Sequence, residues 1–152
     1  MARLTPLLEQ MLAPLGVELI LRWQGQPRHL LLDGTGIEQL LVNLVKNGAE
    51  SAAQTEETEP RVELRIAFEP DRLRLEVQDN GPGLTASQAQ LRQAFYSSKA
   101  DGMGLGLAIC RDVVEFHRGH FSLTDAQPRG CLARVELPAT PPEAVASQLP
   151  RN

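Results

Sequence analysis

The sequence predicts a two-layer α/β sandwich, in which a mixed sheet of about five strands carries about three helices on one face only. Three observations point there. Two neighbouring segments, residues 61–68 and 72–77, alternate apolar and polar side chains with period two, so each strand has a buried and a wet face. Amphipathic helical segments stand before and after this pair. The wet face also disfavours a three-layer architecture, whose buried parallel strands are apolar on both sides.

The elements follow in order. Leu7, Leu8, Met11, Leu12 and Leu15 are spaced for one apolar face of a helix over Thr5 to Leu15, which Gly16 ends. Val17, Leu19, Leu21 and Trp23 then alternate with Glu18, Ile20 and Arg22 as a strand, and a turn at Gln24 to Pro27 leads to a short second strand, His29 to Leu32. A long helix runs from near Gly36 to about Ala53, its core face made of Ile37, Leu40, Leu41, Leu44, Val45 and Gly48. The hairpin comes next. Val62, Leu64, Ile66 and Phe68 point one way, Leu73, Leu75 and Val77 answer them, and Glu69-Pro70-Asp71 makes the turn. Residues Asp79 to Asp101 break all periodicity; a loop of that length inside a small domain is expected to have a function, as a lid over a site. Helix returns at about Met103, with Leu105, Ile109, Val113 and Phe116 on one stripe, and ends near Gly119. Cys131, Ala133, Val135 and Leu137 form a last strand. The expected division is one domain over residues 1–138 and a disordered tail over 139–152, where Pro141, Pro142 and Pro150 interrupt a segment without periodicity.

Composition narrows the classes. A hydrophobic fraction of 42% and a charged fraction of 22% fit a folded soluble chain rather than a disordered one. A net charge of −4, with the arginines dispersed, argues against a nucleic-acid surface. Cys110 and Cys131 have neither zinc-site spacing nor the number of a disulfide framework, and read as buried small hydrophobes in a reducing compartment. No apolar run is long enough to span a membrane and no signal-peptide pattern opens the chain. A cytoplasmic domain without membrane contact is expected.

Three motifs carry chemistry. Asn43 and Asn47 lie four residues apart on the long helix, about 40° apart around its axis, and both flank its core face. A neutral amide oxygen there suits Mg2+, which takes one or two protein oxygens beside phosphates and waters. Taken alone, the pair reads more readily as boundary polar residues facing solvent, and Glu50 one turn on as a solvated helix residue. Second, Asp79-Asn80-Gly81-Pro82-Gly83 places a carboxylate where a buried strand ends, followed by glycines that permit close approach of a ligand. The carboxylate can accept from an exocyclic amine such as adenine's, whereas guanine sets a carbonyl at that place; an ordinary Asp-Asn-Gly turn is the alternative. Third, Gly102-Met103-Gly104-Leu105-Gly106-Leu107 opens the last helix, whose unpaired N–H groups and partial positive charge suit a polyphosphate. No Gly-Lys-Ser/Thr follows, so this is not a Walker loop. Lys99, one of only two lysines, stands just upstream and can reach a terminal phosphate or simply be solvated.

With these residues in fixed order, the chain resembles the catalytic, ATP-binding domain of bacterial sensor histidine kinases, within the Bergerat-fold superfamily that includes DNA gyrase B, Hsp90 and MutL. Gln39 to Glu50 is similar to the family's N box, Asp79 to Gly83 to its first glycine box, Phe95 to Lys99 to its phenylalanine box, and Gly102 to Leu107 to its second glycine box; Gly130 fits a weaker third. The short separation between the phenylalanine and second glycine boxes resembles the FixL and NtrB type. Two departures stand out: Gly48 where alanine is usual, and Arg118 interrupting a usual His-Gly-Gly.

The resemblance implies ATP and Mg2+ as ligands. It assigns Asn47 to the metal, Asn43 to the phosphate region, and Asp79 to the adenine amine, with Gly81 and Gly83 shaping the pocket. Lys99 and the backbone of Gly102, Met103, Gly104, Leu105, Gly106 and Leu107 would surround the phosphates. It implies transfer of the γ-phosphoryl group to a histidine on a separate dimerisation and phosphotransfer domain, and through it to a response regulator. His29, His117 and His120 lack the family's phosphoacceptor context, so none is expected to receive the phosphate. The competing expectations are a gyrase- or MutL-like ATPase, a serine-directed kinase on the same fold, and a non-catalytic nucleotide-dependent interaction module. The ATPases use a glutamate at the place of Asn43 as a general base, and an amide cannot take that proton.

Overall fold

The computed structural model describes residues 4–26, 32–55, 59–83 and 104–138, with side chains in the last segment described from residue 108 onward. The chain opens with helix α1 (Leu4–Leu12), whose Leu4, Leu8 and Leu12 are buried at a one-turn spacing. The α-helix stops three residues before the sequence suggests. Pro14 cannot continue it, and the chain tightens into a 3-10 turn over Ala13–Leu15 that closes on Gly16 at φ 66°. Strand β1 (Glu18–Gln24) follows, and then α2 (Gly34–Ala52), which starts two residues earlier than expected. Ile37, Leu40, Leu41, Leu44, Val45, Gly48, Ala49 and Ala52 make its buried stripe. Strands β2 (Arg61–Phe68) and β3 (Arg72–Asp79) form the expected hairpin, closed by a bond from the Glu69 N–H to the Arg72 carbonyl. Helix α3 (Gly104–Phe116) precedes β4 (His120–Asp125) and β5 (Cys131–Pro138).

The five strands form one mixed sheet in the order β1-β2-β3-β5-β4. Only β1 and β2 are parallel, joined by the connection that contains α2; all other pairs are antiparallel. A parallel pair needs such a crossover, which a hairpin turn cannot make. Among the described residues the strand count agrees with the sequence reading, and one of the five lies where the sequence predicts none. Strand β4 was not anticipated: its apolar positions Phe121 and Leu123 are only two in six residues, too short an alternation to stand out. Most of the short strand expected at His29 to Leu32 lies outside the described residues, as do most of the long loop and the tail after Pro138.

The core sits between one sheet face and the helices. Val62, Leu64, Ile66, Leu75, Val135 and Leu137 from the strands meet Leu8, Leu40, Leu41, Val45 and Cys110 from the helices, all at most 1% exposed. Each fully buried aliphatic side chain contributes about 1.5–3 kcal/mol, and this set defines the single layer interface. The other sheet face is ionic. Glu76 sits at its middle, taking bonds from Arg134 Nε and Nη2 at 2.9 Å each and facing Arg65 at 3.5 Å. Arg22 pairs with Glu63, and Arg72 with Glu136, along the same surface. A face lined this way stays wet, and the described helices cover the other side.

Two helix ends are tied together by His117. Its Nε2 accepts the N–H of Asp33, the N-cap of α2, at 2.9 Å, so the proton lies on Nδ1, which donates to the Val113 carbonyl at 2.8 Å. The imidazole is thus a clamp between α3 and α2, in keeping with a structural role.

Candidate functional site

Asp79 is the last residue of β3, placed opposite Val62 by the hairpin register. Its carboxylate is buried, with 6% of the residue exposed. Three donors converge on one oxygen: Oδ1 accepts from the Gly81 N–H at 2.9 Å, the Cys131 N–H at 3.3 Å and the Ser51 hydroxyl at 3.3 Å. These donors come from the following loop, from β5 and from α2, so three separate elements meet at this side chain. Oδ2 takes none of the three bonds. Burial pushes the carboxyl above its ordinary value, and the three hydrogen bonds pull it back toward the ionised form.

The loop after β3 is built around that carboxylate. Asn80, also buried, is a staple rather than a contact: its amide donates to the Glu59 carbonyl at 2.7 Å and its oxygen accepts the Arg61 N–H at 2.9 Å. This fixes the exit of β3 against the entry of β2. Gly81 lies so close to α2 that a Cβ would strike the Ser51 hydroxyl and come within 2.5 Å of its carbonyl oxygen. Arg129, on the β4–β5 turn, donates to the Gly81 carbonyl at 3.2 Å. Gly130, on the same turn at φ 100°, rests on the Asp79 carbonyl where a Cβ would collide. The weak third glycine motif of the sequence therefore has a steric cause: any side chain there would push β5 off the end of β3.

Helix α2 carries a row of polar residues that reaches this loop at its Ser51 end. Gly48 packs its Cα over the strands, an added Cβ lying 3.6 Å from Asp79 Cβ and 3.5 Å from Val62 and Val77. Asn43, Asn47 and Ser51 follow at four-residue intervals. Asn43 is half-buried and donates its amide to the Gln39 carbonyl at 2.8 Å. Asn47 and Glu50 are exposed. Over eight residues the row spans about 12 Å along the axis, with Asp79 at its Ser51 end. Of the second glycine motif, Gly104, Leu105, Gly106 and Leu107 form the first turn of α3. Lys99, Gly102 and Met103 lie outside the described residues, and so does the expected lid.

Of the predicted residues, the structure thus brings Asp79 and Gly81 against the Ser51 end of α2 and Gly83 against Gly130 and Asp125, while Asn47 and Asn43 lie one and two turns back along the helix. It adds Ser51 and the Cys131 N–H, which the sequence reading did not single out. A hydroxyl one turn past Asn47 was the available signal for the first; a backbone donor from a distant strand leaves none. Cys110 is buried as expected, but Cys131 is only half-buried, and burial pushes both thiols up to about 12, the neighbouring Asp79 and Asp125 adding to the effect at Cys131.

Residues 32–141 match the family described as histidine kinase-, DNA gyrase B- and HSP90-like ATPases. The chain belongs to this family. Its fold is the Bergerat α/β fold, and nucleotide binding comes with the ATPase domain. Among curated relatives, it is 42% identical over 103 residues to the C4-dicarboxylate transport sensor protein DctS of Rhodobacter capsulatus, covering 67% of this chain and 16% of that protein. It is 36% identical over 114 residues to the sensor protein FixL of Bradyrhizobium diazoefficiens, covering 72% of this chain and 22% of that one. The chain therefore spans a minor part of the length of these relatives, which are multidomain sensor proteins. Among solved structures, the catalytic domain of histidine kinase ThkA superposes with TM-score 0.75 at 23% identity, covering 92% of this chain and 91% of that one. That likeness is one of fold. The mycobacterial sensor histidine kinase MprB gives TM-score 0.66 at 25% identity, over 90% and 96% of the two chains.

Proposed function

We propose that residues 1–138 are the catalytic domain of a sensor histidine kinase, binding Mg-ATP and presenting its γ-phosphoryl group to a histidine on a separate dimerisation domain, from which a response regulator takes it. The observation that carries this is Asp79: a buried carboxylate, held through one oxygen by three elements, at the end of a helix row of neutral amides. Its other oxygen accepts from the adenine amine and rejects the guanine carbonyl. Gly81 and Gly83 shape the pocket around the base. The row from Ser51 back to Asn43 then runs toward the phosphates, with Lys99 and the Gly102 to Leu107 backbone around them.

Asn47 fits a metal as a neutral oxygen donor exposed on the row, and among the described residues no three His, Cys, Asp or Glu side chains converge. Such a site suits Mg2+ shared with substrate phosphates and water rather than a closed protein cage. Bound there, Mg2+ would neutralise phosphate charge during transfer. The chain's own residues position the nucleotide; the nucleophile comes from elsewhere, because His29, His117 and His120 lack the family's phosphoacceptor context and His117 is besides committed to its clamp.

The second reading, a hydrolase, is disfavoured by Asn43, whose amide already bonds back to Gln39 and which cannot act as a general base. Phosphate transfer separates the readings. Joined to an upstream dimerisation domain from a relative, the chain should yield acid-labile phosphohistidine from ATP and magnesium; incubated alone with labelled ATP it should retain no stable label. Steady release of phosphate without phosphohistidine in the joined protein would instead mark an ATPase.

A further inference from the structure

Ser51 lies in the last turn of α2, one turn beyond Asn47. A helical serine commonly spends its one hydroxyl hydrogen on a carbonyl of its own helix. Here it crosses to another element and donates to Asp79 Oδ1 at 3.3 Å. The hydroxyl is also held from the side, since Gly81 packs directly against Ser51 Oγ and the Ser51 carbonyl. The two other donors to Oδ1 are backbone groups of the following loop and of β5, so Ser51 is the contribution of α2 to the orientation of the carboxylate. A carboxylate torsion is broad and two-fold, and without a fixed set of donors its two oxygens exchange roles.

We propose that Ser51 is a positioning residue for purine recognition: by holding Oδ1 it keeps Oδ2 facing the base as an acceptor, and so sets the preference for an adenine amine over a guanine carbonyl. This rests on the assignment of Asp79 to the adenine amine. The hydroxyl acts through Asp79 and does not itself touch the base. Its bond also favours the ionised carboxylate against the burial that opposes it, so Ser51 widens the pH range in which Oδ2 is a bare acceptor.

Ser51→Ala removes this donor, leaves both backbone donors in place and suits a helix, alanine being the stronger helix former. In calorimetric titration of the whole chain with magnesium and a non-hydrolysable ATP analogue, it should weaken binding by about three- to tenfold. It should narrow the gap between the ATP and GTP analogues and move the acidic fall-off of affinity to higher pH. In an Asp79→Asn background, the same change should alter neither the nucleotide preference nor the pH profile. A wild-type preference and pH profile in Ser51→Ala, with Asp79→Asn itself weakening binding, would overturn the role of Ser51 alone. Unchanged binding in Asp79→Asn would overturn the adenine assignment and this inference with it.

Discussion

Burial of the Asp79 carboxylate removes solvation that the unfolded chain retains, and the three bonds to Oδ1 offset only part of the loss. The folded chain therefore holds a proton on this group at pH values where the unfolded chain has released it. Stability associated with Asp79 is fully present below the ordinary carboxylate value and is lost as pH rises through the raised folded value. With Asp79 as the proposed acceptor for the adenine amine, nucleotide binding would run the other way, because that contact needs the ionised form. Asp79→Asn separates the two. An amide keeps an acceptor for the converging donors but carries no charge to desolvate. At neutral pH the variant should melt no lower than the wild type, while affinity for an ATP analogue falls by about tenfold or more, the worth of a hydrogen bond to a charged group. Thermal melts and calorimetry on the same samples would check both; a melt well below wild type would show that the carboxylate holds the fold together.

At the scale of elements, the two departures from the family pattern acquire physical meanings. Arg118 sits at φ 55° just after α3, with the Gly119 N–H bonded to the Val114 carbonyl at 2.8 Å and the Arg118 N–H to the Glu115 carbonyl at 3.0 Å. That is a Schellman cap, whose left-handed position glycine normally fills. Arginine there costs about 1 kcal/mol, and its exposed side chain serves no bond within the described residues. Arg118→Gly should raise the melting temperature by about 2–4 °C. Gly48 is the converse case. An added Cβ finds contacts of 3.5–3.6 Å, ordinary packing distances, so the alanine usual in the family fits without movement. Gly48→Ala should stabilise α2 by about 0.5–1 kcal/mol, read as a matching rise in the denaturant midpoint, with nucleotide binding retained. The β4–β5 turn tolerates no such change, because Gly130 lies against the Asp79 carbonyl.

Across the whole molecule, the sheet divides two kinds of surface, and the division predicts unequal sensitivities. Leu64 points into the single core at 1% exposure, and Leu64→Ala should cost about 2–5 kcal/mol in chemical denaturation. Arg22, 63% exposed at its side chain, pairs with Glu63 on the ionic face; Arg22→Ala should stay within about 1 kcal/mol. Equal costs would contradict one-sided helix cover. This asymmetry was legible early, because period-two alternation in β2 and β3 reports a wet face directly. The same signal failed at β4, where two half-buried side chains in a short edge strand leave too little contrast.

The sequence by itself determined the layers, most element positions, and the order of the motifs that carry the family resemblance. Each of these is written locally, in apolar period or in adjacent residues. Only the tertiary structure decided how α2, β3 and β5 meet at one carboxylate oxygen, why Gly130 and Gly81 must lack side chains, and that Asn80 is a staple and Ser51 a donor. Those contacts join residues 19 to 52 positions apart in the chain. No local pattern encodes them, because a hydrogen bond depends on where two strands and a helix come to rest, and packing of the common core sets that.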